Sequence, residues 1–148
     1  MKTYTSTINR VTLKKESSNF MKVKITSSKD ASDVIHQFYD GDIELFESFF
    51  ILLLNRANTT IGYAKISQGG VAGTVVDPKI VAKYALDGLA SSIILAHNHP
   101  SGELRASEAD ISITNKLIKG LKFLEIEVVD HLILSKDGYL SMKDEGII

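Results

Sequence analysis

From Phe46 to Leu54 the chain is apolar on both alternating faces, the pattern of a strand covered on both sides. Asn55-Arg56-Ala57-Asn58 breaks the run as a turn, and Thr59 to Ile66 returns, so the pair predicts a hairpin. A loop from Gln68 to Gly73, holding three glycines, separates it from a change of period. Asp77-Pro78 supplies an N-cap acceptor and a proline at the first helical position. Ile80, Val81, Tyr84, Ala85 and Leu89 then fall on one face of the helix it opens. Ser92 to Ala96 reads as a short buried strand running into His97-Asn98-His99-Pro100. Ser107 opens a further helix bearing Ile111, Ile113, Leu117, Ile118 and Leu121. Ile126 to Leu134 is strand, and Asp137-Gly138 turns it into a last one at Tyr139 to Met142. Upstream, Thr3 to Leu13 alternates loosely and Met21 to Ile25 more regularly, predicting two strands. Ser27 and Ser28 cap a helix running to about Tyr39, with Val34, Ile35 and Phe38 on one face, and Asp40-Gly41-Asp42 ends it. Strands and helices interleave around at least one hairpin. The class is α/β, a mixed β-sheet flanked by helices.

Composition narrows the chemistry more than the fold. The 148 residues suit one ordinary domain, long enough to bury roughly 70% of the surface its unfolded chain exposes. With 44% hydrophobic and 24% charged residues, a disordered chain, a coiled coil and a collagen-like repeat are excluded. Seventeen Lys+Arg against eighteen Asp+Glu leave a formal charge of −1, so no basic excess marks a nucleic-acid footprint. There are no cysteines, which removes disulfides, thiol nucleophiles and Cys-ligated metal; any ion must rest on His and carboxylates. MKTYTSTINR lacks the apolar run of a signal peptide, and Phe49 to Leu54 is too short to span a bilayer. The expectation is a cytoplasmic protein.

The informative segment is residues 96 to 110, AHNHPSGELRASEAD. His97 and His99, spaced i, i+2 at a strand end, send both imidazoles to one face. Pro100 cannot donate to a ladder, so the strand stops there and leaves the pair at a rim. Asp110 follows in the first turn of the next helix, where a loop can fold it back over the strand end. Two imidazoles and a carboxylate, with a fourth position for water, are the ligand set of an open, catalytic zinc site. Ser107 and Asp110 also fit a plain capping arrangement, and a His pair about one residue arises often by chance.

His-x-His, seven residues, Ser, two residues, Asp resembles the JAMM (MPN+) zinc metalloprotease motif, matched by His97, His99, Ser107 and Asp110. Within that superfamily, ASSIILAHNHPSGE, Asn55-Arg56, Asp77-Pro78 and Val129-Asp130-His131-Leu132 resemble the RadC-like JAB domain in the same order. The resemblance covers residues 42–148, leaving 1–41 as an N-terminal strand and helix extension packed on the same domain. It implies a JAB/MPN, cytidine-deaminase-like architecture, one zinc per chain on His97, His99 and Asp110, and a peptide or protein substrate. It also implies Glu47 as general acid/base and Ser107 as a hydroxyl that helps hold the oxyanion. Glu47 lies among Phe46, Phe49 and Phe50, where desolvation raises a carboxylate's pKa toward the range of a proton shuttle. Glu44 is its nearest competitor. His131 reads as a hydrogen-bonded core histidine behind the site rather than a ligand, and His36 as structural.

Two departures qualify the resemblance. RadC-like proteins usually carry an N-terminal helix-hairpin-helix, a DNA-binding element, whereas the residues before 42 read as strand and helix. Nucleic-acid binding is therefore expected to be weak. Asn98 stands where deubiquitinating members have Ser or Thr, so ubiquitin cleavage is not expected. The competing reading is a non-catalytic DNA repair or recombination module that keeps the zinc site. A nucleoside deaminase of the usual form needs Cys ligands and is excluded. Oligomeric state is left open.

Overall fold

A computed structural model describes residues 7–70 and 74–148. Its elements run α1 (Ser28–His36), β1 (Ser48–Leu54), β2 (Thr60–Gln68), α2 (Pro78–Asp87), β3 (Ser92–Asn98), α3 (Glu108–Lys122), β4 (Glu127–Leu134) and β5 (Tyr139–Ser141). The strands form one sheet in the order β2-β1-β3-β4-β5. β1 pairs antiparallel with both β2 and β3, β3 pairs parallel with β4, and β5 returns antiparallel on β4. The sheet is mixed, as the alternation of periods predicts.

β1 is buried at every position, which its unbroken apolar run requires. Phe49, Ile51 and Leu53 join Ile93 and Leu95 of β3 in a core closed by Val81 and Ala85 of α2 and Leu117 and Leu121 of α3. Leu52 and Leu54 face the other way, with Ile94, Leu132 and Leu134, against Ala31, Val34 and Ile35 of α1. Helices thus cover both faces of the three inner strands. Each fully buried aliphatic chain of this kind contributes about 1.5–3 kcal/mol. Among the described residues, no helix is long and apolar enough to cross a membrane.

The N-terminal segment departs from its pattern. Residues 7–25 form no strand; the part of Thr3 to Leu13 before residue 7 lies outside the described residues. Among the described residues a single bridge, Lys24 to Thr59, is all the pairing this stretch makes, and Ile8, Val11 and Met21 are exposed. Alternation without a partner edge does not make a strand. α1 is capped by Ser27 and stops at His36, and the bonds from Phe38 and Tyr39 reach back only three residues. On α2 only Val81 and Ala85 are buried; Ile80 and Tyr84 face out, and Leu89, with φ +54°, lies past the helix end. Of the loop from Gln68 to Gly73, Gln68 belongs to β2 and residues 71–73 lie outside the described set.

Candidate metal centre

β3 runs through Asn98, two residues beyond its predicted end, and carries His97 into the face lined by α3. There the His97 ring stacks on Phe49, centroids 6.0 Å apart. His99 lies one residue past the strand, tied back by its N–H to the Leu134 carbonyl at 3.0 Å. A turn closed by the Gly102 N–H on the His99 carbonyl then sends the chain away toward α3. The two Nε2 atoms end 3.0 Å apart.

Asp110 reaches the same point from the start of α3. Its Oδ1 is 3.3 Å from His97 Nε2 and its Oδ2 3.7 Å from His99 Nε2. A capping box aims it: Ser107 N–H donates to Asp110 Oδ2 at 2.8 Å while Asp110 N–H donates to Ser107 Oγ at 3.1 Å. The capping reading of Ser107 and Asp110 and the ligand reading are therefore one arrangement.

Glu47 immediately precedes β1. Its Oε2 accepts the Thr74 N–H at 2.6 Å, which leaves Oε1 facing the pair, 3.8 Å from His99 Nε2. Glu47, His97 and His99 offer ligand atoms that all lie within 4.8 Å of one another. Glu44 points elsewhere, paired with Lys136 at 3.2 Å, and the structure gives it no place at this site. His36 is structural: its Nδ1 and Nε2 lie 2.8 Å from the carbonyls of Ser32 and Ser135.

The protons on these rings can be placed by elimination. Thr114 Oγ lies 2.6 Å from both the Asp110 carbonyl, which can only accept, and His131 Nδ1, which can donate or accept; Met142 Sδ is 3.9 Å away. With the hydroxyl proton on the carbonyl, the oxygen accepts from His131 Nδ1, which leaves His131 Nε2 bare. That nitrogen accepts from His97 Nδ1 at 2.7 Å. His99 Nδ1 donates to the Glu103 carbonyl at 2.7 Å. With both rings neutral, each Nε2 presents a lone pair to the other and to the Asp110 carboxylate. Three acceptors facing one point repel unless a proton or a metal ion lies between them.

In the metal-free chain the carboxylate favours a proton on the neighbouring imidazoles. The adjacent Asp110 raises His99 above the ordinary histidine range. Burial pushes Asp110 up, but the adjacent His97 and His99 outweigh it and hold the carboxyl well below the usual range. His131, wholly buried, is depressed by burial and by the neighbouring His97.

The separations fit zinc. A tetrahedral ion with ligand bonds of ~2.0–2.1 Å holds its donors about 3.3 Å apart. The two Nε2 atoms stand 3.0 Å apart, and Asp110 brings a different oxygen toward each ring, Oδ1 at 3.3 Å from His97 and Oδ2 at 3.7 Å from His99. Each ring also gives its other N–H to a fixed acceptor, as metal-binding histidines do.

Two participants escape the sequence patterns. Thr114, fully buried, looks like a solvent-facing helix residue until its spacing of four from Asp110 is noticed. Asn98, also fully buried, faces the α1 side and holds the segment that carries Glu47. A concavity of about 880 Å³ lies elsewhere, where residues 12–22 meet β2, and none of the four histidines lines it.

Comparison with known proteins gives this geometry a setting. Residues 25–147 match the family model of the RadC-like JAB domain, a span that begins before α1. A UPF0758 protein of Flavobacterium johnsoniae is 45% identical over 124 residues, 84% of this chain and 53% of its own length. UPF0758 proteins of Clostridium acetobutylicum and Methanosarcina mazei are each 36% identical, across 88% and 86% of this chain and 56% and 55% of theirs. The chain spans about half the length of these relatives.

Proposed function

The chain belongs to the RadC-like JAB domain family, and from that premise we propose that it is a zinc-dependent metallopeptidase that hydrolyses a peptide or isopeptide bond. The observation that carries the reading is the division of labour between two carboxylates. Asp110 faces both Nε2 atoms, whereas Glu47 stands beside them, held by Thr74 through Oε2 with Oε1 toward His99. A purely structural centre has no use for the second.

His97, His99 and Asp110 would hold the ion. When bound, zinc supplies a Lewis acid that polarises the scissile carbonyl and lowers the pKa of water toward 7. Glu47 Oε1 takes the proton of the attacking water and hands it to the leaving amine. Ser107 Oγ accepts the Asp110 N–H and keeps its own proton to donate to the developing oxyanion. Any association with DNA is weak in this reading, because a net charge of −1 offers phosphate little.

Elemental analysis of protein purified without chelator is expected to find one zinc per chain, lost in the His97→Ala/His99→Ala double variant. Glu47→Gln should keep the zinc and lose at least ~10²-fold in hydrolysis, the lower end for removing a positioned acid/base group. Fully loaded wild type that cleaves nothing across a broad peptide and isopeptide library would reject the enzyme and favour a zinc-bearing accessory module.

A further inference from the structure

The geometry points to Thr114 as a positioning residue that sets which ring nitrogen of His97 faces the ion, acting through His131. The relay crosses three elements. It starts on β3 at His97 Nδ1, passes 2.7 Å to His131 Nε2 on β4, then 2.6 Å from His131 Nδ1 to Thr114 Oγ on α3. It ends on the Asp110 carbonyl, 2.6 Å from the same hydroxyl. His97, Thr114 and His131 are all buried, so no water competes for these bonds. The carbonyl end sets the direction assigned to the chain: a carbonyl can only accept, and a hydroxyl proton spent there leaves the oxygen to accept from His131. Both imidazoles then carry their proton on Nδ1. The relay also closes on the first turn of α3, so the hydroxyl that orients one candidate ligand is anchored to the backbone of another.

This inference rests on the metal reading above, but it makes a claim about the metal-free protein that can fail separately. Long-range ¹H–¹⁵N spectra of the metal-free wild type, at a pH where the rings are neutral, should show His97 and His131 protonated at Nδ1 and bare at Nε2. Thr114→Val removes the acceptor of the His131 Nδ1 proton. The His131 proton then moves to Nε2 and turns His97 toward the Nε2-protonated form, which blocks the ligand atom. Zinc affinity, measured by chelator competition, should weaken ~10–100-fold, the usual cost of losing such an outer partner. Thr114→Ser should recover both the tautomer and the affinity.

A proton on His97 Nε2 in the wild type would overturn the relay, and that measurement needs no variant to fold. So would a folded Thr114→Val protein with unchanged tautomers and zinc affinity. If the tautomers are as stated but no zinc is taken up, the relay stands and the metal reading falls. Zinc uptake indifferent to Thr114 has the opposite meaning.

Discussion

Asn98 separates the two histidines in sequence and faces the other side of the sheet, where its amide accepts the Ser48 N–H at 2.8 Å. It donates to the carbonyls of Ile43 and Phe46 at 2.6 and 2.8 Å. Asn98→Ala leaves the buried Ser48 N–H and two part-buried carbonyls without this partner, at ~1–3 kcal/mol for a group that stays dry. Denaturant unfolding should therefore show a loss of at least ~2 kcal/mol. Asn98→Asp supplies the acceptor but neither donor, and should not recover it. Because the clamped segment carries Glu47, hydrolysis in these variants should fall further than zinc content does. The spacing of His97 and His99 is visible in the sequence because a strand end converts i, i+2 into one face. The work of Asn98 is not, because its partner Ser48 stands 50 residues away. A strand-to-segment clamp leaves no periodic trace.

At the level of elements, α3 combines a start signal with a ligand. Ser107→Ala removes the side-chain cap, which typically costs ~1 kcal/mol, while its backbone N–H still holds the Asp110 carboxylate. Melting temperature should fall with zinc retained. Ser107→Asn caps again and should restore stability; if hydrolysis stays low in that variant, the hydroxyl itself serves the oxyanion. The cap, β1 and the hairpin are legible because each rests on residues adjacent in the chain. The N-terminal strands are not, because a strand is a property of a pair. Among the described residues the only bridge to that segment is Lys24 with Thr59, beside Thr60–Gln68, and the alternation from Thr7 to Leu13 meets no partner strand. β3 outruns its predicted end for the converse reason: β1 and β4 flank it, and His97 and Asn98 pair with Ile133 and Leu134.

For the molecule as a whole, class and mixed sheet follow from the order of periods, while the placing of β3 at the centre depends on long-range pairing that no local pattern carries. Global stability should carry the site's charges in its pH dependence, measured by denaturant unfolding with chelator present. His131 is held well below its ordinary value of 6.5, first by burial. The unfolded chain then binds a proton that the fold refuses, so stability falls as pH drops below 6.5, at up to ~1.4 kcal/mol per unit. His99 is shifted the other way; its contribution is complete below 6.5 and is lost as pH rises through its folded value. Asp110 adds stability above 3.8 that is lost as pH falls below it, while Asp130, raised by burial, runs opposite near its own range. His131→Gln should flatten the slope just below 6.5. The central position of β3 also has a consequence in time. β1 and β2 are joined by a short turn, whereas β3 must cross from Leu54 to reach one neighbour and wait for Glu127 onward to receive the other. Local pairing forms early and non-local pairing late. The hairpin should therefore lie inside the folding transition state and the histidines outside it. Stopped-flow measurements should find that Leu52→Ala slows refolding, and that bound zinc slows unfolding while leaving the refolding rate unchanged.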